Sequence, residues 1–179
     1  MRGLPASAGK KEMDRYRGMS IGVVVDCEGG YLTIPDYTSA KAHDKDGNVL
    51  KEFKGTSNHF GNFIDAVRSR KPADLHCEIL EGHISSALCH MGNISYRLGK
   101  TQSPDEIRDS VKANADLAEA VGRMEQHLEA NMVDLKQTPA TLGVALKMDP
   151  RAERFLDNPD ANQMLTREYR SPFVVPEKV

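Results

Sequence analysis

The feature that most constrains the fold is an Asp-Gly dipeptide, Asp46-Gly47, between two segments of alternating polar and apolar residues. Such a dipeptide favours a tight hairpin, because the central positions of the turn need residues that tolerate positive φ. Upstream, Glu28-Gly29-Gly30 separates two runs of β-branched and aromatic residues. The stretch 21–53 is therefore predicted to form a meander of three or four strands in a small antiparallel sheet.

After residue 53 the spacing of the apolar residues changes from a strand period to a helical one. A helix is predicted over 59–70, with Ser57 or Asn58 as its cap and Lys71-Pro72 as its end. Its apolar residues fall on one face and are Phe60, Phe63, Ile64 and Val67. A second helix is predicted from about residue 78 to residue 98, before Gly99.

Two further helices are marked by their capping residues. Ser103-Pro104-Asp105-Glu106 is a capping box with proline at the first helical position. It predicts a helix over 104–121 that continues or restarts to Met132. Asn158 is the cap of a short predicted helix over 159–168.

These elements predict an α+β fold. We expect a mostly antiparallel open sheet, extended by the segment 145–148, with the long helices packed on one face. The chain, residues 1–179, is interpreted as a single domain with a helical insert at about 101–137. Since a sheet with two apolar faces needs two covers, the other face is expected to be where subunits meet.

Composition excludes several classes of partner. The 24 Lys and Arg against 26 Asp and Glu give a net charge of -2, so there is no basic surplus for nucleic acid or anionic lipid. No stretch approaches the roughly 20 apolar residues that cross a membrane. The three cysteines form no CxxC pair, and the first twenty residues lack the apolar core of a signal peptide. We therefore expect a cytoplasmic protein with no nucleic-acid or membrane partner.

Standard catalytic and cofactor motifs are missing from the sequence. There is no GxGxxG after a strand, no GxxxxGK[ST], no GxSxG and no HExxH. The chain is accordingly expected to hold no catalytic residues, no cofactor and no metal of its own.

One cluster invites a metal interpretation. Zinc needs four converging ligands, but on the predicted helix only His83 and His90 share a face, whereas Cys89 lies about 100° further round. The helix would thus supply two ligands at most, and the simpler interpretation is a packing helix with hydrogen-bonded histidines. The cluster consists of His76, Cys77, His83, Cys89 and His90.

Other polar groups have two interpretations each. His59 and Asn62, three residues apart beside Asp65, are either a patch that meets a sugar hydroxyl or another domain, or a helix cap and a solvated face. Arg167 and Arg170, which flank Glu168 and Tyr169, form either a recognition cluster or an ion-paired helix end.

Four segments, taken in order, resemble one enzyme family. They are HFGNFIDAVRSRKP, EGHISSALCHMGNISYRLG, LKMDPRAERF and DANQMLTREYRSPF. In this order they resemble the carboxy-terminal region of bacterial Gfo/Idh/MocA oxidoreductases, the family of glucose-fructose oxidoreductase and inositol dehydrogenase. The strand pair GVVVDCEGGYL, the DKDGN hairpin and the helical insert are also similar to that region, so the resemblance covers nearly the whole chain.

The resemblance implies half of an enzyme. Family members join an amino-terminal Rossmann domain, which binds NAD or NADP, to a carboxy-terminal α+β domain with substrate contacts and subunit association. This chain resembles the second part only, because nothing in it matches the glycine-rich turn or the Glu-Lys-Pro segment, and the family's catalytic Asp and His pair is expected upstream of its first residue. The implied partners are a Rossmann-type half, a second copy through the sheet, and a sugar or polyol whose hydroxyl the complete enzyme oxidises, or the reverse.

The resemblance also selects candidate residues for contact with substrate or with the other domain. They match the family's recurrent polar positions and are His59, Asn62, His83, His90, Asn93, Arg167 and Arg170. The alternative function is a stand-alone, non-catalytic module that binds a carbohydrate or associates with itself. A zinc enzyme built on the histidine and cysteine cluster ranks last. Without the first domain the chain is expected to expose a helix face and to self-associate.

Overall fold

The computed structural model describes residues 4–55 and 58–175. Ser57, one of the two predicted caps of the first helix, lies outside these residues. The chain has an α+β fold with an antiparallel sheet, as the sequence predicts. It divides into two compact units, and each is built from two stretches of sequence. The first unit is Met1–Glu78 with Ala113–Asp134, and the second is Ile79–Lys112 with Leu135–Val179. The assignment of the whole chain to one domain stays a prediction.

The first unit contains the predicted meander. Its strands are β1 (Val23–Cys27), β2 (Gly30–Ile34), β3 (Ser39–Asp44) and β4 (Val49–Lys54), and they pair antiparallel in that order. At the Asp-Gly hairpin Gly47 has a φ of +89°, and the Gly47 N–H donates to the Asp44 carbonyl at 3.2 Å. Gly30 has a φ of +154° and lies so close to the His43 carbonyl that a side chain would collide with it.

Pairing register gives the sheet one apolar and one polar face. Val25 lies opposite Leu32, which lies opposite Ala42, and Ala40 lies opposite Phe53. Because alternate residues share a face, these residues belong to one surface, the apolar sheet face. Its apolar members are Val23, Val25, Leu32, Ile34, Ala40, Ala42 and Phe53. Val23, Val25 and Phe53 are exposed, and the other four are half-buried. Lys51, opposite Ala42 on the edge strand, shares this face, and its Nζ lies 4.9 Å from the Phe53 ring centroid.

Helix α1 (His59–Ser69) has the predicted cap but no buried residue. The Asn58 Oδ1 accepts a hydrogen bond from the Gly61 N–H at 2.9 Å, and Arg70 ends the helix with a φ of +58°. The helix contacts the short 3₁₀ helix Pro72–Asp74. Its predicted apolar face is left in solvent, and Phe60 is 74% exposed.

Residues 4–19 form an N-terminal strap along helix α4, which spans Ala115–Ala130. Asn131 Nδ2 donates to the Pro5 carbonyl at 2.9 Å, and the Ala8 N–H donates to the Ala130 carbonyl at 2.9 Å. The guanidinium of Arg123 lies 4.1 Å from the ring centroid of Tyr16. Asp14 Oδ2 lies 3.3 Å from the ring of His127. Positions 123, 127 and 131 are spaced by four residues, so the strap follows one face of the helix.

The predicted helix over 104–121 and its continuation form two helices. Helix α3 spans Pro104–Val111, and α4 begins at Ala115 after the cap Asn114, whose Oδ1 accepts from the Leu117 N–H at 3.0 Å. An asparagine that satisfies the N–H groups of a new first turn favours a restart over continuation. The predicted cap of α3, Ser103, is present. Asn158, the predicted cap of the short helix that begins at residue 159, is present as well.

The second unit has its own small core. Helix α2 (Ile79–Leu98) supplies Ile94, which is buried together with Phe155 and Ala161. Phe155 belongs to a short strand, and Ala161 to helix α5 (Pro159–Gln163), which ends five residues before the predicted end. Around these three pack the half-buried Met91, Leu98, Leu146, Met148 and Met164.

The segment 145–148 does not extend the meander, and this part of the predicted sheet is wrong. Two small ladders form instead, β5 (Lys100–Gln102) with β6 (Ala140–Leu142), and β7 (Met148–Asp149) with β8 (Arg154–Phe155). Asp149 Oδ1 accepts from the Arg151 N–H at 2.8 Å, which closes a tight turn. The strand partners in β7 and β8 are five and seven residues apart, so their pairing costs less loop entropy than pairing with a strand about a hundred residues away.

In the described part of the chain, no helix combines the length and the apolar composition needed to span a membrane.

Candidate functional site

Asn62, a predicted ligand-contact residue, forms hydrogen bonds with the protein's own backbone. Its Nδ2 donates to the Asp74 carbonyl at 2.7 Å, and its Oδ1 accepts from the His76 N–H at 2.9 Å. Both ends of the amide thus fix the loop after the 3₁₀ helix against α1. The side chain is a positioning residue for this loop, which the sequence did not reveal because its partners lie 12 and 14 residues away.

His83, on α2, is held by an acidic partner from a distant loop. Its Nε2 lies 2.9 Å from both carboxylate oxygens of Glu153. Glu153 has a φ of +49°, which is uncommon for a residue other than glycine. Both side chains remain about half exposed, so the pair contributes little to stability and mainly orients the imidazole.

The other candidates lie at the surface. His59 contacts the Phe60 ring, with centroids 4.1 Å apart. His90 and Asn93 are exposed on α2. Arg167 and Arg170 each lie over an aromatic ring of the carboxy-terminal segment, those of Tyr169 and Phe173.

The structure divides the candidates between the two units. His59 and Asn62 belong to the first unit, and the remaining five belong to the second. Within the residues that the structure describes, no three His, Cys, Asp or Glu side chains come together as a metal site. Cys27, Cys77 and Cys89 are free thiols at the surface.

A stacked column on the polar sheet face was not anticipated from the sequence. The Tyr31 and His43 rings stack with centroids 4.6 Å apart, and the Arg17 guanidinium lies 3.8 Å from the Tyr31 centroid. His43 Nε2 is 3.0 Å from Thr33 Oγ1, and His43 Nδ1 is 3.2 Å from the Gly47 carbonyl. Tyr31 lies opposite His43 in the β2–β3 pairing, which is set by the loop 35–38 and not by the Asp-Gly hairpin.

Thr33, His43 and the Gly47 carbonyl are arranged in the order of a nucleophile, a base and an orienting acceptor. Thr33, however, is only 6% exposed. A buried hydroxyl cannot reach a substrate carbon, so the arrangement is structural. The Tyr16 hydroxyl accepts from Arg17 Nε and raises the pKa of Arg17, with a smaller contribution from the Asp26 carboxylate at 2.9 Å. These contacts attach the strap to the polar sheet face.

A groove of about 530 Å³ in the second unit has the size of a small-molecule site. The charged side chains of its lining, Asp105, Glu106, Arg108 and Lys136, sum to zero charge. Arg108 pairs with Asp105, and Ser103 donates to Glu106 and lowers the pKa of that carboxyl. The groove thus suits a neutral, hydroxyl-bearing molecule better than an ion. Gln102 Oε1 has no hydrogen-bond partner among the described residues, but it is shielded from solvent and so is not accessible to a ligand. It is lined by Thr101, Gln102, Ser103, Pro104, Asp105, Glu106, Arg108, Leu135, Lys136 and Pro139.

The protein exposes far more surface than its mass predicts. Its accessible area is 14631 Å². A folded monomer of 19.8 kDa exposes about 8,600 Å², and two separate compact halves would expose about 10,400 Å² together. Exposed large apolar side chains lie on the apolar sheet face, on α1 and on the Leu80, Ile84 and Leu88 stripe of α2.

Comparisons of the chain with protein-family models, with curated proteins and with solved structures gave no match.

Proposed function

We propose that this chain is the carboxy-terminal part of an NAD(P)-dependent sugar or polyol oxidoreductase of the Gfo/Idh/MocA type. In this proposal it supplies subunit association and substrate contacts, and a Rossmann-type half supplies the NAD or NADP site and the catalytic residues. The proposal is supported by the four ordered segments that resemble the family and by the α+β fold with its antiparallel sheet. Alone, the chain is not catalytically competent.

The exposed apolar sheet face carries the association part of the proposal. An apolar surface of this kind on an otherwise polar chain marks an interface. A specific protein–protein interface buries about 1,600 Å², and the excess area of this chain is larger than that. One such interface together with the contact to the Rossmann-type half would bring the exposed area towards that of an ordinary globular protein.

A second copy is the occupant that fits this face best. Flat sheet faces pack on one another about 10 Å apart through interdigitated side chains. A two-fold dimer presents the same patch from both subunits and leaves no unmatched apolar strip. The polar sheet face, in contrast, is already engaged by Arg17 of the strap.

For substrate contacts the proposal favours side chains that the fold leaves available. His90 and Asn93 are exposed on α2, one helical turn apart, and can meet sugar hydroxyls as donors and acceptors. His83, oriented by Glu153, lies seven residues before His90 and shares its helix face. Asn62 contributes indirectly, through the loop that it holds.

The association proposal is tested by light scattering on the whole chain and on two valine variants. Val25 lies on the apolar sheet face at 41% exposure, and Val49 is an edge-strand valine at 49% exposure whose register places it with His43 on the opposite face. We expect a wild-type dimer, at least a tenfold weaker dimer in Val25→Lys because a charge would be buried without a partner, and no change in Val49→Lys.

Circular dichroism verifies that both variants remain folded. A wild-type chain that stays monomeric at all concentrations, or equal weakening in the two variants, would refute sheet-face association.

The groove favours a second candidate, a stand-alone module that binds carbohydrate without catalysis. The size of the groove and the zero net charge of its lining suit a neutral polyol. Sugar binding that needs no Rossmann-type half and is lost in Thr101→Ala, a change in the exposed lining of the groove, would favour this candidate over the half-enzyme.

A further inference from the structure

We infer that Tyr37 anchors the dimer, with its ring inserted against the second copy at the end of the apolar sheet face. The inference rests on the proposed function, because it specifies the contact by which that face recognises its own copy. It starts from an unusual exposure. Tyr37 is 105% exposed, so its ring makes no packing contact within the chain.

The loop that carries Tyr37 is rigid, although its central side chain packs on nothing. Asp36 Oδ1 accepts from the Thr38 N–H at 2.7 Å and from the Thr38 hydroxyl at 2.8 Å. Asp36 Oδ2 accepts from the Ser39 hydroxyl at 2.7 Å. The Gly55 N–H donates to the Thr38 carbonyl at 2.8 Å, which ties the loop to the chain that follows β4.

These hydrogen bonds fix the backbone on both sides of Tyr37, so the loop is ordered before a partner binds. The donors from Ser39 and Thr38 also hold the pKa of Asp36 at about 2, so the loop keeps its anionic acceptor at all physiological pH values. Binding then has to order only the two side-chain torsions of the ring and not the loop. Tyrosine is enriched among the residues that dominate interface energetics.

The position of the loop points to the second copy as the partner. Tyr37 lies between Ile34 and Ala40, which both belong to the apolar sheet face. A subunit that covers this face reaches its end at the β2–β3 loop. In a two-fold dimer each copy then offers one Tyr37 to the other, so the contact is made twice.

The test measures the dimer dissociation constant of the whole chain by sedimentation or light scattering. Tyr37→Ala is expected to raise it about 30-fold or more, as removal of a dominant interface side chain does. Tyr37→Phe, which keeps the ring, should stay within about threefold of wild type, because the packed ring carries most of the energy. Tyr96→Ala, which removes another exposed tyrosine, on α2, is the matched control and should leave the constant unchanged.

Asp36→Ala provides a second variant, since it loosens the loop and leaves the ring. It should weaken the dimer less than Tyr37→Ala does. A wild-type dimer that Val25→Lys disrupts and Tyr37→Ala does not would overturn the anchor and leave the proposed association standing. Equal effects of Tyr37→Ala and Tyr96→Ala would overturn it as well. A monomeric wild-type chain would reject both the association and the anchor.

Discussion

At the scale of single residues, the amide of Asn62 shows how a polar side chain near a presumed ligand site can serve the fold instead. It binds two backbone groups, Asp74 O and His76 N, that come from one loop. Each of these two hydrogen bonds contributes about 0.5–1.5 kcal/mol net, because water replaces a lost hydrogen bond only in part. Asn62 therefore links α1 to the segment that leads into α2.

We expect Asn62→Ala to lower the free energy of unfolding by about 1–2 kcal/mol, since two hydrogen bonds to backbone are lost. Urea denaturation followed by circular dichroism measures this change. Asn93→Ala is the control, because the Asn93 side chain is exposed on α2, and its effect should stay within about 0.5 kcal/mol. An Asn62→Ala protein as stable as Asn93→Ala would exclude the linking role.

The sequence identified polar residues that matter but not what they contact. Asn62 and His83 were both selected, and both make specific contacts, yet His83 meets Glu153 across 70 residues of sequence. Local spacing carries no information on such partners. The Tyr31 and His43 pair was not predictable from the Asp-Gly hairpin, because that hairpin joins β3 to β4 whereas the pair joins β2 to β3. Tyr37 gave no signal, since full exposure is a property of the folded loop.

At the scale of elements, most predicted boundaries agree with the structure, because they rest on local hydrogen bonds. The capping box Ser103 to Glu106 predicted the start of α3, and both of its reciprocal hydrogen bonds are present. The Asp-Gly hairpin and the Glu-Gly-Gly turn fixed the meander. The errors, the segment 145–148 and the joined helix over 104–121, arose where Asp149 and Asn114 bind nearby N–H groups and so favour a local turn or a new cap.

Ser103→Ala should destabilise the protein by about 1 kcal/mol, because the first turn of α3 loses its side-chain acceptor. Ser110→Ala, on the same helix, is the matched control. Its hydroxyl donates to the Glu106 carbonyl, which already serves the helix, so its loss should cost less than about 0.5 kcal/mol. Thermal unfolding of the two variants side by side checks the difference, and equal melting temperatures would contradict the capping role.

At the scale of the whole molecule, the accessible area of 14631 Å² is the property that a sequence pattern least reveals. The sequence predicts which faces are apolar, on the sheet and on α1, but not whether other parts of the same chain cover them. Fold class was predictable because it follows from the order and periodicity of the elements. Whether an apolar face is covered by other parts of the chain depends on tertiary packing, which a single sequence does not reveal.

Calorimetric titration of the purified chain with NAD and with NADP should give no binding heat, because the proposed cofactor site lies in the Rossmann-type half. The sequence contains no glycine-rich turn that would hold a pyrophosphate. A known dinucleotide-binding dehydrogenase in the same cell is the positive control. Stoichiometric binding at micromolar strength would disprove the half-enzyme and require a nucleotide site within this chain.

The division of the chain into two interleaved units has a consequence for its synthesis. The first unit needs Ala113–Asp134 to be complete, and the second begins at Ile79 and ends with Leu135–Val179. On the ribosome, the strap residues near Pro5 must wait for Asn131 before they can make their hydrogen bond. Completion of both units is therefore postponed to the last third of translation, while apolar strands emerge early. Chaperone demand should accordingly be high for a chain of this length.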